Sequence, residues 1–226
     1  MICDLYGLVV ACRAGSPELA ADLMRPFRYF ERPESAPGLT IVVEQTDPPY
    51  ATFPSLTASF STPRNIVYQN GSCKIIDYFG KGAVVEERAP AAYRVFGRDL
   101  NFLREAVYLL ITALFGQHCD RHGLLRIHAL ALSYGDTAVL LPMPPGAGKS
   151  TLALAMLEED GFKLLSEDDP VVDRSGAVSR RFALATRLAF ASRTYHMAHS
   201  SDVRDNARVL TTFIHATAGR RTTARP

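Results

Sequence analysis

The run Pro144-Pro145-Gly146-Ala147-Gly148-Lys149-Ser150-Thr151 has the residue types and spacing of a loop that cradles phosphates. A triphosphate carries several negative charges that must be desolvated. Backbone N–H groups at a helix N-terminus replace water there without adding a mobile side chain. Gly146 and Gly148 let the backbone curl close to the oxygens, and Lys149 brings a full positive charge to the β and γ phosphates. The Ser150 hydroxyl is the usual Mg²⁺ ligand in such a loop, with Thr151 next on the helix. These residues point to a nucleoside triphosphate, ATP with Mg²⁺; GTP stays open, because a loop of this kind reads phosphates and not the base. Met143 stands where the full G-x-x-x-x-G-K-[ST] pattern has its first glycine. The prolines at 142, 144 and 145 favour an extended approach, which a methionine can adopt.

Acidic residues follow where such a site needs them. Glu167, Asp168 and Asp169 come directly after the apolar run Phe162 to Leu165. If that run is a strand beside the loop's own strand, its C-terminal end delivers the carboxylates to the triphosphate. In phosphoryl transfer one carboxylate holds the metal and another accepts the proton of the attacking hydroxyl. Glu167 and Asp168 thus join Ser150 as candidate metal ligands. The plainer alternative is a solvated acidic turn before Pro170. His128 lies in Leu125-Arg126-Ile127-His128-Ala129-Leu130, read as a strand alongside the loop strand. On its own a histidine there is more often structural than catalytic. His118, His122, His196 and His199 have no metal-binding spacing.

The elements that must position these residues can be read from periodicity. Strand signals at Leu124 to Ser133 and Thr137 to Leu141 precede the loop; a helix over Ser150 to Glu159 and a strand over Phe162 to Leu165 follow it. The order β-β-loop-α-β is that of an α/β nucleotide-binding core. Upstream, Asp99 is a good N-cap for a helix to about His118, with Leu100, Leu103, Val107, Leu110, Ile111, Leu114 and Phe115 at helical spacing and Gly116 as a nearby stop signal. Before it, strand signals at Leu5 to Cys12, Leu39 to Glu44, Asn65 to Gln69, Cys73 to Phe79 and Ala83 to Glu86 suggest an antiparallel meander, with a short helix around Pro17 to Met24. Asn70-Gly71 is the strongest hairpin cue. Beyond Val172 the periodicity fades; Phe182 to Phe190 is the last candidate strand or buried segment, and the chain from about Gly219 is expected to be disordered. The expected organisation is a β-rich region over 1–97, an α/β core over 98–191 and a weakly structured tail over 192–226.

Composition sets the outer bounds. A chain of 226 residues with 47% hydrophobic content can bury one sizeable core and a small second lobe. A formal charge of +2 argues for neither nucleic acid nor an acidic membrane surface as a partner. Cys3, Cys12, Cys73 and Cys119 lack the two-residue spacing of zinc or redox pairs, so free thiols in a reducing cytoplasm are expected. No run of about 18 apolar residues suggests a membrane span, and no export signal is read.

Taken together, Ile127-His128-Ala129, Val139-Leu140-Leu141-Pro142, the loop through Thr151, and Gly161-Phe162-Lys163-Leu164-Leu165-Ser166-Glu167-Asp168-Asp169 resemble the HPr kinase/phosphorylase-like superfamily over about residues 124 to 173. The resemblance implies a P-loop core of the HPr-kinase-like type behind a mainly β N-terminal region. It implies Lys149 as the phosphate-binding lysine, Ser150 as the Mg²⁺ ligand, Asp168 as catalytic base, Glu167 as the acidic residue before it, and His128 as the histidine of the preceding strand. The implied reaction is ATP-dependent phosphorylation of a serine hydroxyl on a peptide or small protein. Thr151 stands where the bifunctional enzymes carry an acidic residue, which argues against phosphorylase activity. No segment after Val172 matches the family's later parts, so the competing reading is a non-catalytic or truncated nucleotide-binding regulatory module.

Overall fold

Apolar runs in the first third of the chain are cut into short strands by residues that accept left-handed backbone. Tyr6 (φ 55°) and Gly7 (φ 93°) both adopt it, so Leu5 to Cys12 is no single strand. It divides into β1 (Ile2–Leu5) and β2 (Leu8–Arg13), a hairpin in which Leu5 pairs with Leu8 across a two-residue turn. The computed structural model describes residues 1–69, 73–87, 92–166, 169–173, 178–179 and 208–209. The expectations for Asn70-Gly71, Phe182 to Phe190 and the chain from Gly219 lie outside these residues.

The described residues of Met1–His122 form one unit. After β2, α1 (Pro17–Leu23) starts with Pro17 in its first turn and Ser16 Oγ accepting the Leu19 N–H at 3.2 Å. It leads into β3 (Leu39–Glu44), which lies parallel to β2. Then β4 (Ala58–Ser61), β5 (Ile66–Gln69), β6 (Cys73–Asp77), β7 (Gly82–Glu87) and β8 (Ala92–Gly97) run as an antiparallel meander. Strand β8 closes onto β3 in parallel, so the sheet is mixed, in the order β1-β2-β3-β8-β7-β6-β5-β4. Helix α2 (Leu100–His122) begins with Asp99 Oδ1 accepting the Asn101 N–H at 2.9 Å. It runs past the buried Gly116 and stops at Gly123, whose φ of 67° ends a helix where Gly116 does not. The sequence boundary at 97/98 assigned this helix to the same body as the phosphate-type loop, whereas it belongs to the first unit. The core is built from Leu5, Phe27, Ile41, Phe96, Leu103 and Phe115. Cys3 and Cys12 are buried free thiols, and burial pushes them up to about 12 and about 11, so neither is a nucleophile near neutral pH.

One close approach has a measurable consequence. A Cβ on Gly82 would lie 2.1 Å from Cε1 of Phe102 and 2.4 Å from the Phe96 carbonyl oxygen, and the backbone oxygen cannot give way. Gly82→Ala is therefore expected to destabilise this unit by roughly 2 to 3 kcal/mol in urea unfolding. Gly15→Ala, with nothing within 4 Å of its added Cβ, should stay within about 0.5 kcal/mol of the parent. Equal stability of the two variants would refute the packing described around Phe102.

The second unit begins at Gly123. Its described elements are β9 (Leu125–Arg126), β10 (Leu130–Tyr134), β11 (Thr137–Leu141), α3 (Lys149–Glu158), β12 (Phe162–Ser166), β13 (Val171–Val172), β14 (Val178–Ser179) and β15 (Arg208–Val209). One sheet has the order β12-β10-β11-β15, and a second pairs β14-β13-β9. Both faces of the first sheet are covered, which is why its strands read as nearly continuous apolar runs. Leu130, Leu132 and Leu164 meet Ala153 and Met156 of α3, while Ala131, Ala138, Leu140 and Leu165 meet Val172 and Ile127. The protein is thus a mixed α/β structure. No helix among the described residues is long and apolar enough to cross a membrane.

Candidate functional site

Register alone brings three chain segments to one edge of the β12-β10-β11 sheet. Leu130 pairs with Leu141, and Ala131 pairs with Ser166, with β10 antiparallel to both neighbours. The N-terminal end of β10 and the C-terminal ends of β11 and β12 therefore share an edge. From it leave the link containing His128, the loop 142–148, and the acidic run that starts at Glu167.

Two sequence expectations are corrected here. The run Leu124 to Ser133 is not one strand: β9 pairs with β13 in the second sheet, β10 belongs to the first, and His128 sits in the link between them. The Ile127 N–H donates to the Pro170 carbonyl at 3.1 Å, turning the chain from one sheet to the other. Nor does β12 lie beside the loop's own strand; β10 intervenes. Because β10 is antiparallel to both, β11 and β12 still point the same way, so Leu141 and Ser166 end at the same edge.

The loop is shaped by backbone conformation more than by space. Gly146 (φ 79°) and Gly148 (φ 90°) are both left-handed, and a Cβ on either would meet nothing within 4 Å. The Ala147 N–H donates to the Pro144 carbonyl at 3.1 Å, closing a turn over Pro145, and Gly148 is the N-cap residue of α3. Pro144 to Gly148 are exposed, as are Ser150 and Thr151 in the first turn of the helix. Positive φ among described non-glycine residues occurs at Tyr6 and Phe79 alone, so Met143 takes the first-glycine position without left-handed strain.

Lys149 is the residue on which these parts converge. Its Nζ donates to the Met143 carbonyl at 3.2 Å and lies 2.5 Å from His128 Nε2. An ammonium can only donate, so Nε2 is the acceptor and the imidazole proton sits on Nδ1. His128 is exposed and Lys149 half-buried. Periodicity offered no hint that the Met143 carbonyl would take part, because that role needs only a backbone oxygen.

At the end of β12 a bulge re-aims the chain. Ala131 pairs with Ser166 and Leu132 with Leu164, leaving Leu165 as the extra residue, and both Leu165 and Ser166 are buried. The Ser166 Oγ accepts the Asp169 N–H at 3.2 Å. Glu167 and Asp168 themselves lie outside the described residues. Among the described residues no group of three or more His, Cys, Asp or Glu is arranged to hold a metal ion. Comparison with known proteins finds no matching family model and no matching curated protein.

Proposed function

We propose that this chain binds ATP with Mg²⁺ through residues 142–151 and transfers the γ-phosphate to a serine hydroxyl of a peptide or small protein, in the manner of the HPr kinase/phosphorylase-like superfamily. The observation that carries the proposal is Lys149 Nζ, held between the Met143 carbonyl and His128 Nε2 at the open mouth of a loop with two left-handed glycines. That arrangement suits an anion. The loop N–H groups and the first turn of α3 offer donors, and the lysine supplies charge that a phosphate can share once it displaces the carbonyl.

Ser150, Glu167 and Asp168 are the residues that would hold Mg²⁺, whose charge offsets that of the triphosphate when bound. Pro145 to Thr151 supply the nucleotide contacts, and Lys149 orients the β and γ phosphates. Asp168 accepts the proton of the attacking hydroxyl, and His128 fixes the lysine from the neighbouring link. The mixed α/β unit from Gly123 is then the P-loop core, and the compartment is the cytoplasm.

Calorimetry with MgATP, followed by a search for ³²P transfer from the γ position to cell-extract peptides, tests this reading. Binding accompanied by transfer is expected. Binding without transfer to any peptide would leave a nucleotide-binding regulatory module, and no binding would remove the whole proposal.

A further inference from the structure

In the first unit, parallel strands β2 and β3 end on Arg13 and Glu44. Sheets with parallel strands take ligands in the crevice outside those carboxyl ends, where the connections part from one another. A crevice of about 590 Å³ lies there, with Leu19, Val42 and Val43 as its apolar lining and Arg13 and Glu44 as its charges. Arg13 pairs in register with Val42, and Glu44 is two residues further along the same strand, so both side chains stand on one face of the sheet. Strands lie about 4.8 Å apart and two residues span about 6.6 Å, which puts the two Cα atoms roughly 8 Å from each other. Glu44 takes both bonds from Arg94 on a single oxygen: Oε1 is 3.1 Å from Nε and 2.6 Å from Nη2. Its Oε2 has no hydrogen-bond partner among the described residues. Arg94 is itself held over the Phe96 ring at 4.9 Å and paired with Glu87. The exposed Arg13 joins none of the ion pairs among the described residues, which involve Arg25, Arg64, Arg94, Arg98 and Arg104.

We infer that this crevice binds a free α-amino acid with an apolar side chain, a role independent of the nucleotide site proposed above. The ligand's carboxylate takes the Arg13 fork, its ammonium takes Glu44 Oε2, and its side chain lies against Leu19 and Val42. A simple anion would face the Glu44 carboxylate as well as Arg13, and a simple cation would face Arg13 as well as Glu44. A molecule that carries both charges on one carbon satisfies the pair.

Calorimetric titration of the full chain with L-leucine, L-valine and L-phenylalanine tests this, each compared with its deaminated acid and its decarboxylated amine. At least one amino acid is expected to bind, and its two half-charged analogues about tenfold or more weakly than it. Arg13→Ala and Glu44→Gln should each cost about tenfold; the glutamine keeps an oxygen for Arg94 while losing the charge. Gly15 also lines the crevice, and nothing lies within 4 Å of the place a Cβ would occupy, so Gly15→Leu should occlude the site and leave melting unchanged. Binding by none of the three amino acids overturns the assignment. So does a deaminated acid that binds as well as its parent, which would leave an anion site only, or parent affinity in Arg13→Ala or Gly15→Leu, which would put the ligand elsewhere.

Discussion

A Lys149→Ala chain is expected to bind MgATP about a hundredfold more weakly than the parent, and to melt at nearly the same temperature. The affinity loss follows from what the ammonium touches. Its described contacts are the Met143 carbonyl and His128 Nε2. A charge-assisted bond to phosphate contributes roughly 1.5 to 3 kcal/mol. Melting should change little because both contacts sit at a partly exposed edge outside the apolar clusters that hold the unit together. Lys149→Arg is expected to rescue poorly, since a planar guanidinium does not reproduce the point charge of an ammonium. Parent-like MgATP affinity in Lys149→Ala would sink the proposed site, whatever happens at other residues.

What could be read from sequence divides along a physical line. The bend at Gly146 and Gly148 was legible because glycine is the residue type that accepts left-handed backbone, and both do adopt it. The helix start at Asp99 was legible because a cap is a local bond. Long-range pairing was not. Nothing local says that β2, β3 and β8 lie parallel inside a sheet otherwise built from hairpins, or that β10 separates β12 from β11. Strand β4 was missed because all four of its residues are exposed, leaving no alternation to detect. Leu5 to Cys12 misled for the opposite reason: the apolar run hides a turn at Tyr6, a residue type rarely found with positive φ. At the site the strand assignment of His128 failed because Ile127 does the packing on both sides of the break, and its apolar character looks the same in a strand or a link.

Asp168→Asn is the substitution expected to separate binding from chemistry. Asn keeps the size of the Asp168 side chain while removing its charge. Transfer to a peptide serine should fall about a thousandfold, the typical contribution of a positioned base. MgATP affinity should fall by less than about tenfold, because the loop N–H groups, Lys149 and Ser150 are untouched. The contrast with Lys149→Ala is the informative part. One variant loses an interaction present in the ground state and so loses affinity; the other loses one needed only as the hydroxyl attacks. If Asp168→Asn transfers phosphate at the parent rate, the base lies elsewhere and Asp168 is part of a solvated turn. If affinity collapses with transfer, the carboxylate acts chiefly through the metal, and Glu167→Gln should then give the same result.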